Sequence, residues 1–299
     1  MKFVVTGGAG FIGNHLTKYL LEQGHQIKII DNLYRGKIKN LEEVRDDIEF
    51  LQLDILDYDN IKNEFKGMDG VFHEAALTIV SESFEKEAEY KKVNIDGTEN
   101  IFKIASEFDI KVVFASSSSV YGNPTMVPIS EDFDRKPINP YAITKVEDEN
   151  LASKYSSLGT KIIGLRYFNV YGQGQTPEYA GVITKFLERI TANQPPIIFG
   201  DGSQIRDFVY VRDVARVNLI AMKSNVTNGF FNIGNGIATS IFELATILIR
   251  LSKKSLELEY DKLPDGDVKS SQAKIDLAKK LLGWQPEYTL ENGLRTFFT

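Results

Sequence analysis

A glycine-rich turn near the N-terminus constrains the fold of this chain more than any other feature. Residues 2–6 form a short apolar run typical of a buried parallel strand, and residues 11–23 carry apolar side chains at helical spacing. Between them, residues 6–13 read Thr-Gly-Gly-Ala-Gly-Phe-Ile-Gly. A glycine turn that joins a strand to a helix is the context of the dinucleotide-binding fingerprint. The alternative interpretation is a turn whose glycines serve only packing.

Each glycine has a predicted physical role in holding a dinucleotide. Gly7 or Gly8 allows the tight turn, Gly10 lets the backbone approach a pyrophosphate, and Gly13 lets the helix pack close to the sheet. The positive end of the helix faces the phosphates.

The residue after the second predicted strand, residues 26–30, is Asp31, which is well placed for a ribose hydroxyl contact. Its carboxylate would repel a 2′-phosphate, which favours NAD over NADP. Arg35 lies nearby and keeps NADP open as an alternative.

Apolar runs alternate with helical stretches through the first half of the chain. The further strands are expected at residues 49–53, 70–74, 111–116 and 161–166, and the best-marked helices at 84–108 and 141–158. This alternation predicts an α/β fold with a doubly wound, Rossmann-like parallel sheet and right-handed crossovers, with ligands at the carboxyl ends of the strands.

The pattern changes after Asn169, where glycines and prolines mark several turns. We expect helices at 179–193, 241–251 and 273–282, and strands at 208–211 and 230–233. The prediction is a dinucleotide-binding domain at 1–168 and a smaller C-terminal substrate domain at 169–299, with 208–233 partly returning to the first.

Composition excludes several classes of function. The 299 residues carry a net charge of −6 without a basic stripe, which argues against nucleic acid as a partner. No cysteine and only three histidines leave little basis for a metal site, and the lack of cysteine fits the cytoplasm. No apolar run approaches the ~20 residues of a membrane span, and we expect no signal peptide.

Tyr141 and Lys145 lie four residues apart on a predicted helix and so share a face. A phenol needs a nearby cation to act as a base at neutral pH, and the lysine supplies one. Ser116–Ser119 directly follow an apolar strand, where a hydroxyl can bind the same substrate oxygen as the tyrosine. The combination predicts hydride chemistry on an alcohol carbon. A solvated helix face and a polar loop are the alternatives.

These motifs resemble the extended short-chain dehydrogenase/reductase family, and within it the UDP-glucose 4-epimerase-like nucleotide-sugar enzymes. The similarity extends over nearly the whole chain and is carried by residues 6–13, 31–33, 54–55, 73–76, 93–100, 120–122, 140–145, 165–172 and 200–211.

The resemblance implies NAD as cofactor, a nucleotide-diphosphate sugar as substrate, no metal, and site residues in three groups. The catalytic residues are Ser117, Tyr141 and Lys145. The substrate contacts are Ser117, Tyr141, Asn169, Arg206 and Ser271. The cofactor contacts are Gly7, Gly10, Phe11, Ile12, Gly13, Asp31, Asn32, Arg35, Gly36, Asp54, Ile55, Ala75, Ala76, Asn94, Tyr141, Lys145 and Phe168.

One short stretch distinguishes the sister activities of this family. Related dehydratases carry Asp-Glu after the catalytic Ser or Thr, and related decarboxylases carry a glutamate two residues before the Tyr of the Tyr-Gly pair. Here those positions are Ser118 and Ser119, which favours redox-neutral epimerisation at C4 of the UDP-glucose/UDP-galactose type. A decarboxylase, a reductase, a dehydratase and a non-catalytic dinucleotide sensor stay open as alternatives.

Two departures from the family pattern concern the substrate. Pro264 stands where many relatives have a phosphate-binding arginine, so Arg206 acts alone or Lys269 substitutes. The small side chain of Ser271 leaves room for a 2-acetamido group, which extends the expected substrates to UDP-GlcNAc. The resemblance also implies a homodimer that pairs the helices at 84–108 and 141–158.

Overall fold

A seven-stranded parallel sheet forms the centre of the molecule. The structure is a computed structural model and describes residues 1–175, 181–262 and 270–298. Its strands are β1 (Lys2–Thr6), β2 (Gln26–Ile30), β3 (Ile48–Leu51), β4 (Gly70–His73), β5 (Lys111–Ser117), β6 (Ile162–Tyr167), β7 (Asn169–Tyr171), β8 (Ile197–Phe199), β9 (Ile205–Arg206), β10 (Phe208–Tyr210), β11 (Asn228–Ile233), β12 (Thr239–Ser240) and β13 (Glu259–Asp261). The main sheet has the order β11-β6-β5-β4-β1-β2-β3.

Helices cover both faces of this sheet, which confirms the predicted doubly wound α/β fold. They are α1 (Phe11–Glu22), α2 (Tyr58–Lys62), α3 (Val80–Glu85), α4 (Glu87–Tyr90), α5 (Gly97–Phe108), α6 (Pro140–Ser157), α7 (Val182–Thr191), α8 (Val211–Lys223), α9 (Ile241–Ser252) and α10 (Leu290–Arg295). The described residues also form turns of 3-10 helix at Ile38–Asp47, Asn63–Phe65 and Ser118–Tyr121, and of π-helix at Lys91–Asp96 and Ala278–Leu282.

Two apolar layers enclose the sheet. On one face Leu16 and Leu20 of α1 and Val217 of α8 pack with Val5 of β1. On the other face Ile101 and Phe102 of α5 pack with Val71 of β4 and Phe114 of β5. The alternating side chains of each strand therefore enter opposite layers, so both faces of the parallel sheet are buried.

The region after β6 builds a second, smaller layer. Strand pairs β7–β10, β9–β12 and β8–β13 and helices α7, α9 and α10 surround a separate apolar cluster that includes Ile183, Phe186 and Leu244. Strand β11 instead pairs in parallel with β6 and lies at the edge of the main sheet. Among the described helices, none combines the length and apolarity that a bilayer span requires.

Three elements differ from the sequence-based predictions. Residues 84–108 do not form one helix. The helix is interrupted at Lys86, and a π-turn at Lys91–Asp96 precedes α5. In this π-turn the buried side chain of Asn94 donates a hydrogen bond to the carbonyl oxygen of Leu77. This tertiary contact is favoured over a continued α-helical hydrogen-bond pattern.

The predicted strand at 208–211 ends at Tyr210, and the 13-residue helix α8 begins at Val211. The predicted helix at 273–282 was wrong in its first part. Ala273 instead forms a bridge with Ile129 and donates its N–H to Asp207 at 3.0 Å. The start of the helix predicted at 179–193 lies partly outside the described residues.

Candidate active site

A cleft of about 790 Å³ opens at the carboxyl edge of the main sheet, as expected for this fold. All three predicted catalytic residues line it, and so do nearly all of the predicted cofactor contacts: Gly7, Gly10, Phe11, Ile12, Gly13, Asp31, Asn32, Arg35, Gly36, Asp54, Ile55, Ala75, Ala76, Ser117, Tyr141, Lys145 and Phe168. The structure thus brings together residues of β2, β5, β6, α1 and α6 with residues that directly follow β1 and β4.

The glycine turn leaves no room for side chains at two positions. Gly7 has a φ of +70°, and a Cβ there would lie 2.6 Å from the backbone nitrogen of Ala75. A Cβ at Gly13 would lie 2.2 Å from the carbonyl oxygen of Gly7, so this glycine lets the helix approach the turn itself. Helix α1 starts after Gly10 without a side-chain cap, so its first N–H groups are available to an anion.

Asp31 is buried at the end of β2 and holds the turn in place. Its carboxylate accepts hydrogen bonds from the N–H groups of Ala9 at 2.9 Å and Leu33 at 2.8 Å. Burial raises the pKa of Asp31 above its ordinary value, although these two bonds oppose the shift. Gly36 is required beside it, because a Cβ there would lie 2.8 Å from one Asp31 oxygen. Asp31 therefore both lines the cleft and supports its phosphate-facing turn.

Arg35, the residue that kept NADP open, forms an ion pair with Glu82. Hydrogen bonds from Lys86 and then from Arg35 lower the pKa of Glu82 to about 2, against the effect of burial. The guanidinium is thus already paired with a carboxylate, an arrangement that does not favour a 2′-phosphate at this position.

The three catalytic candidates line the cleft where β5 ends and α6 begins. Ser117 is the last residue of β5, and its hydroxyl accepts a hydrogen bond from the N–H of Ser119 at 3.2 Å. Asn139 caps α6 by accepting from the N–H of Ala142 at 2.8 Å, which places Tyr141 in the first turn of the helix. Lys145 follows one turn later on the same face.

Lys145 is almost completely buried at the floor of the cleft. Its ammonium donates to the carbonyl oxygen of Ala115 at 3.0 Å and to Asp148 at 3.0 Å. Burial lowers the pKa of Lys145, but the charge of Asp148 and then the phenol of Tyr141 outweigh burial, so the net pKa is raised. Lys145 is therefore a cation at neutral pH.

Sequence reasoning assigned no role to a pair of side chains that also line the cleft. Tyr167 of β6 donates its hydroxyl to Glu74 at 2.9 Å and accepts a hydrogen bond from Asn218 of α8 at 2.7 Å. Burial raises the pKa of Glu74 to about 8, so its carboxyl is mostly protonated at neutral pH. The signal in the sequence is that Glu74 directly follows an apolar strand, at the edge of the sheet where ligands bind.

A buried ion pair fixes helix α6 to the sheet. Arg166 of β6 donates to both carboxylate oxygens of Glu149, at 2.8 and 2.7 Å, and also to the hydroxyl of Tyr121 at 2.7 Å. Such a bidentate contact fixes the relative orientation of the two side chains and also stabilises the pair. It holds the helix that carries Tyr141 and Lys145 in one register.

The predicted substrate contacts Asn169, Arg206 and Ser271 lie outside the lining of the cleft but near one another in the second layer. Asn169 donates its backbone and side-chain N–H groups to the carbonyl of Asp207, and Ser271 donates its N–H to the carbonyl of Ile205 at 3.1 Å. Backbone bonds thus join all three segments. Pro264 and Lys269 lie outside the described residues.

Asn94, the remaining predicted cofactor contact, is fully buried behind the cleft wall. Its side chain donates to the carbonyl of Leu77 at 2.9 Å and to the hydroxyl of Thr144 at 2.9 Å, and it accepts from the N–H of Leu77 at 2.8 Å. The observed role is to join the loop after β4 to helix α6.

No group of three or more His, Asp or Glu side chains within the described residues is arranged to hold a metal ion.

Known proteins are similar to this chain in sequence and in fold. The family described as the NAD dependent epimerase/dehydratase family matches residues 3–234. A Methanocaldococcus jannaschii protein provisionally named a UDP-glucose 4-epimerase is 41% identical over 98% of this chain and 95% of its own length. A UDP-N-acetyl-alpha-D-glucosaminuronate decarboxylase from Bacillus cytotoxicus is 36% identical over 98% of this chain and 95% of its own. The solved structure of UDP-glucose 4-epimerase from Thermotoga maritima, with UDP-glucose, has a TM-score of 0.92 and 36% identity, covering 99% of this chain and 96% of that one.

Proposed function

Since this chain belongs to the NAD-dependent epimerase/dehydratase family, we propose that it inverts the configuration at C4 of a UDP-sugar through a 4-keto intermediate. The observation that carries the proposal is the convergence of Ser117, Tyr141 and Lys145 on the cleft that the glycine turn borders. The lack of a carboxylate at Ser118 and Ser119 separates it from the eliminating and decarboxylating members.

The residues of the cleft fit NAD. The turn at Gly7 and Gly13 has no room for a side chain, and the uncapped start of α1 offers N–H groups to a pyrophosphate. Asp31 lies at the end of β2, where this fold contacts a ribose. When bound, NAD supplies the hydride acceptor and donor.

The side chains then divide the proton chemistry. Tyr141 takes the proton from the 4-hydroxyl as a hydride leaves C4, and returns a proton to that oxygen when hydride returns to the opposite face. Ser117 hydrogen-bonds the same oxygen, and the Lys145 ammonium stabilises the phenolate. Asn169 and Arg206 hold the diphosphate while the sugar turns, since a guanidinium suits phosphate geometry.

The experiment that tests the proposal supplies UDP-glucose, UDP-GlcNAc and UDP-glucuronate separately to the purified protein with NAD. We expect the C4 epimer of at least one sugar without net formation of NADH. Release of carbon dioxide from the glucuronate would identify a decarboxylase, and stoichiometric NADH would identify a dehydrogenase. Turnover of none of the sugars, with NAD still bound, would favour a sensor.

The breadth of the sugar pocket is a separate proposal that rests on Ser271. A small side chain there leaves space for the acetamido group, so UDP-GlcNAc should be accepted, and Ser271→Tyr should impair it more than UDP-glucose. A wild-type protein that turns over UDP-glucose and ignores UDP-GlcNAc would contradict the pocket but leave the epimerase proposal intact.

We also propose a cytoplasmic homodimer. The apolar residues Ile101 and Phe102 of α5 are buried in the subunit core, so they are not the contact surface. Phe84 of α3 and Ile143 of α6 are 62% and 37% exposed on helices that pack against each other, and they offer the apolar surface for a second copy. The lack of cysteine fits a reducing compartment.

A further inference from the structure

The carboxylate of Asp148 lies directly behind the lysine of the catalytic pair. Asp148 follows Lys145 by three residues on α6, and both side chains turn inward, with 0% and 4% of their surfaces exposed. The Asp148 carboxylate accepts from the Lys145 ammonium at 3.0 Å. A fully buried ion pair is poor support for stability, because removing both charges from water offsets their attraction. Its position at the floor of the cleft therefore suggests a role in the chemistry.

The contacts of Lys145 leave one N–H for the cleft. An ammonium has three donors, and Ala115 and Asp148 accept two of them. The third can then face Tyr141 and a bound ligand. Asp148 thus fixes the direction of the lysine side chain.

Among the described residues behind Asp148, His73 does not supply a compensating cation. His73 of β4 contacts the hydroxyls of Thr6 at 2.7 Å and Thr98 at 2.9 Å, and burial lowers its pKa to about 3, so it is neutral. Burial raises the pKa of Asp148 to about 6, while Lys145 and Thr98 oppose that shift. One Asp148 oxygen is buried without a hydrogen-bond partner, so the lysine is its main source of stabilisation.

We propose that Asp148 is a positioning residue that fixes the direction of the Lys145 ammonium and, through its negative charge, sets the pH range in which the Tyr141–Lys145 pair works. The inference rests on the proposed function, because it assumes that this pair carries the proton chemistry.

The direction of the effect follows from charge. The active pair holds one proton fewer than its acid form, and a fixed negative charge nearby makes that proton harder to lose. When Asp148 is ionised, the acid limb of the pH–rate profile lies at higher pH than in an enzyme with a neutral residue at position 148. Removing the charge should move that limb to lower pH.

Other ionisable groups face this cluster from the surrounding elements, and they do not replace Asp148. They are His73 of β4, Glu74 directly after β4, Glu149 of α6, and Arg166 and Tyr167 of β6. His73 is neutral, Glu74 is mostly protonated and bonded to Tyr167, and Glu149 is neutralised by Arg166. Asp148 is therefore the anion that acts on the pair at neutral pH.

The test compares Asp148→Asn with wild type in the full NAD-bound enzyme, using kcat against pH. We expect the acid limb to move by roughly 1 pH unit toward lower pH. Glu147→Gln, which removes the same charge from the exposed side of the same helix, should leave the limb in place. Asp148→Ser serves as the second variant if the asparagine protein does not fold.

A second measurement needs no substrate. Tyrosinate ultraviolet absorbance is followed against pH in apo-protein, and the contribution of Tyr141 is the difference from the same protein carrying Tyr141→Phe. The Asp148 variant should form this tyrosinate at lower pH. An unmoved or oppositely moved titration and acid limb would overturn the inference. A Tyr141→Phe enzyme with full turnover would instead overturn the proposed function, whatever Asp148 does.

Discussion

Side chains at and behind the floor of the cleft are mostly uncharged where burial disfavours the ionised form, because burial raises the pKa of a carboxyl and lowers that of an imidazole. Burial raises the pKa of Glu74 to about 8 and lowers that of His73 to about 3, and both groups are thereby mostly uncharged at neutral pH. Lys145 keeps its positive charge and pairs with Asp148. An ammonium compensated by a carboxylate therefore lies at the floor of the cleft that Tyr141 also lines.

Replacing Tyr141 by phenylalanine removes only the ionisable oxygen from this floor. We expect NAD binding and folding to persist, while turnover falls by roughly 10²–10⁴-fold, the usual contribution of a general base. Steady-state kinetics and NAD titration measure the two effects separately. Tyr155→Phe, on the same helix but outside the cleft lining, is the matched control. Turnover close to wild type in the Tyr141 variant would remove this residue from the role of base.

The raised pKa of Glu74 predicts how stability depends on pH. Between about pH 4.5 and pH 8 the folded protein keeps a proton that the unfolded chain has lost, so this group makes stability fall as the pH rises. Glu74→Gln removes that dependence. The melting temperature of the apo-variant relative to wild type should therefore increase from about pH 5 to about pH 8.

Thermal denaturation of the apo-protein across this range measures the difference. Glu89→Gln is the control, since Glu89 is another carboxyl that lines the cleft. If the difference in melting temperature between Glu74→Gln and wild type stays constant with pH, the Glu74 carboxyl is ionised in the folded protein.

Elements were predictable from the sequence where local pattern and tertiary packing agree. The short apolar runs that became β1, β2, β4, β5 and β6 lie in a sheet buried on both faces, so composition alone marks them. The glycine turn and helix α6 are predictable because their residues are locally constrained by backbone geometry and capping. The lining of the cleft is predictable as well, because the carboxyl ends of parallel strands lie at one edge of the sheet.

What the sequence could not predict depends on contacts between distant segments. Ala273 is extended because Asp207 and Ile129 bind its backbone, and neither partner is close in sequence. The spacing of Lys145 and Asp148 indicates a shared helix face, but whether that face is buried depends on β4 and α5. Helix α8 was missed because it starts directly from the apolar run of β10.

The glycine turn allows a prediction at the level of the element. A methyl group at Gly13 would meet the backbone of Gly7 at 2.2 Å, whereas one at Gly10 would lie 3.1 Å from the same oxygen. Gly13→Ala should therefore lower the melting temperature of the apo-protein more than Gly10→Ala, with a cost of roughly 1–3 kcal/mol for overpacking. Equal melting temperatures would mean that the turn relaxes freely around either methyl group.

At the scale of the whole molecule, the proposed homodimer would cover the exposed apolar residues of α3 and α6. Light scattering at micromolar concentration should give twice the mass of the 299-residue chain. The double variant Phe84→Asp with Ile143→Asp should be monomeric, because charge at a contact surface is costly to bury. Met126→Asp, an equally exposed apolar position on a loop, is the control. A monomeric wild type would contradict the dimer.

The return of β11 to the edge of the main sheet also limits how the chain can be divided. A fragment that ends at residue 168 would leave β6 with an unpaired edge and α1 without α8, whose Arg212 pairs with Glu22 at 2.6 Å. Neither half therefore contains a complete set of packed layers. Two such fragments should acquire structure only by complementing each other, so recovery of NAD binding on mixing them would report their assembly.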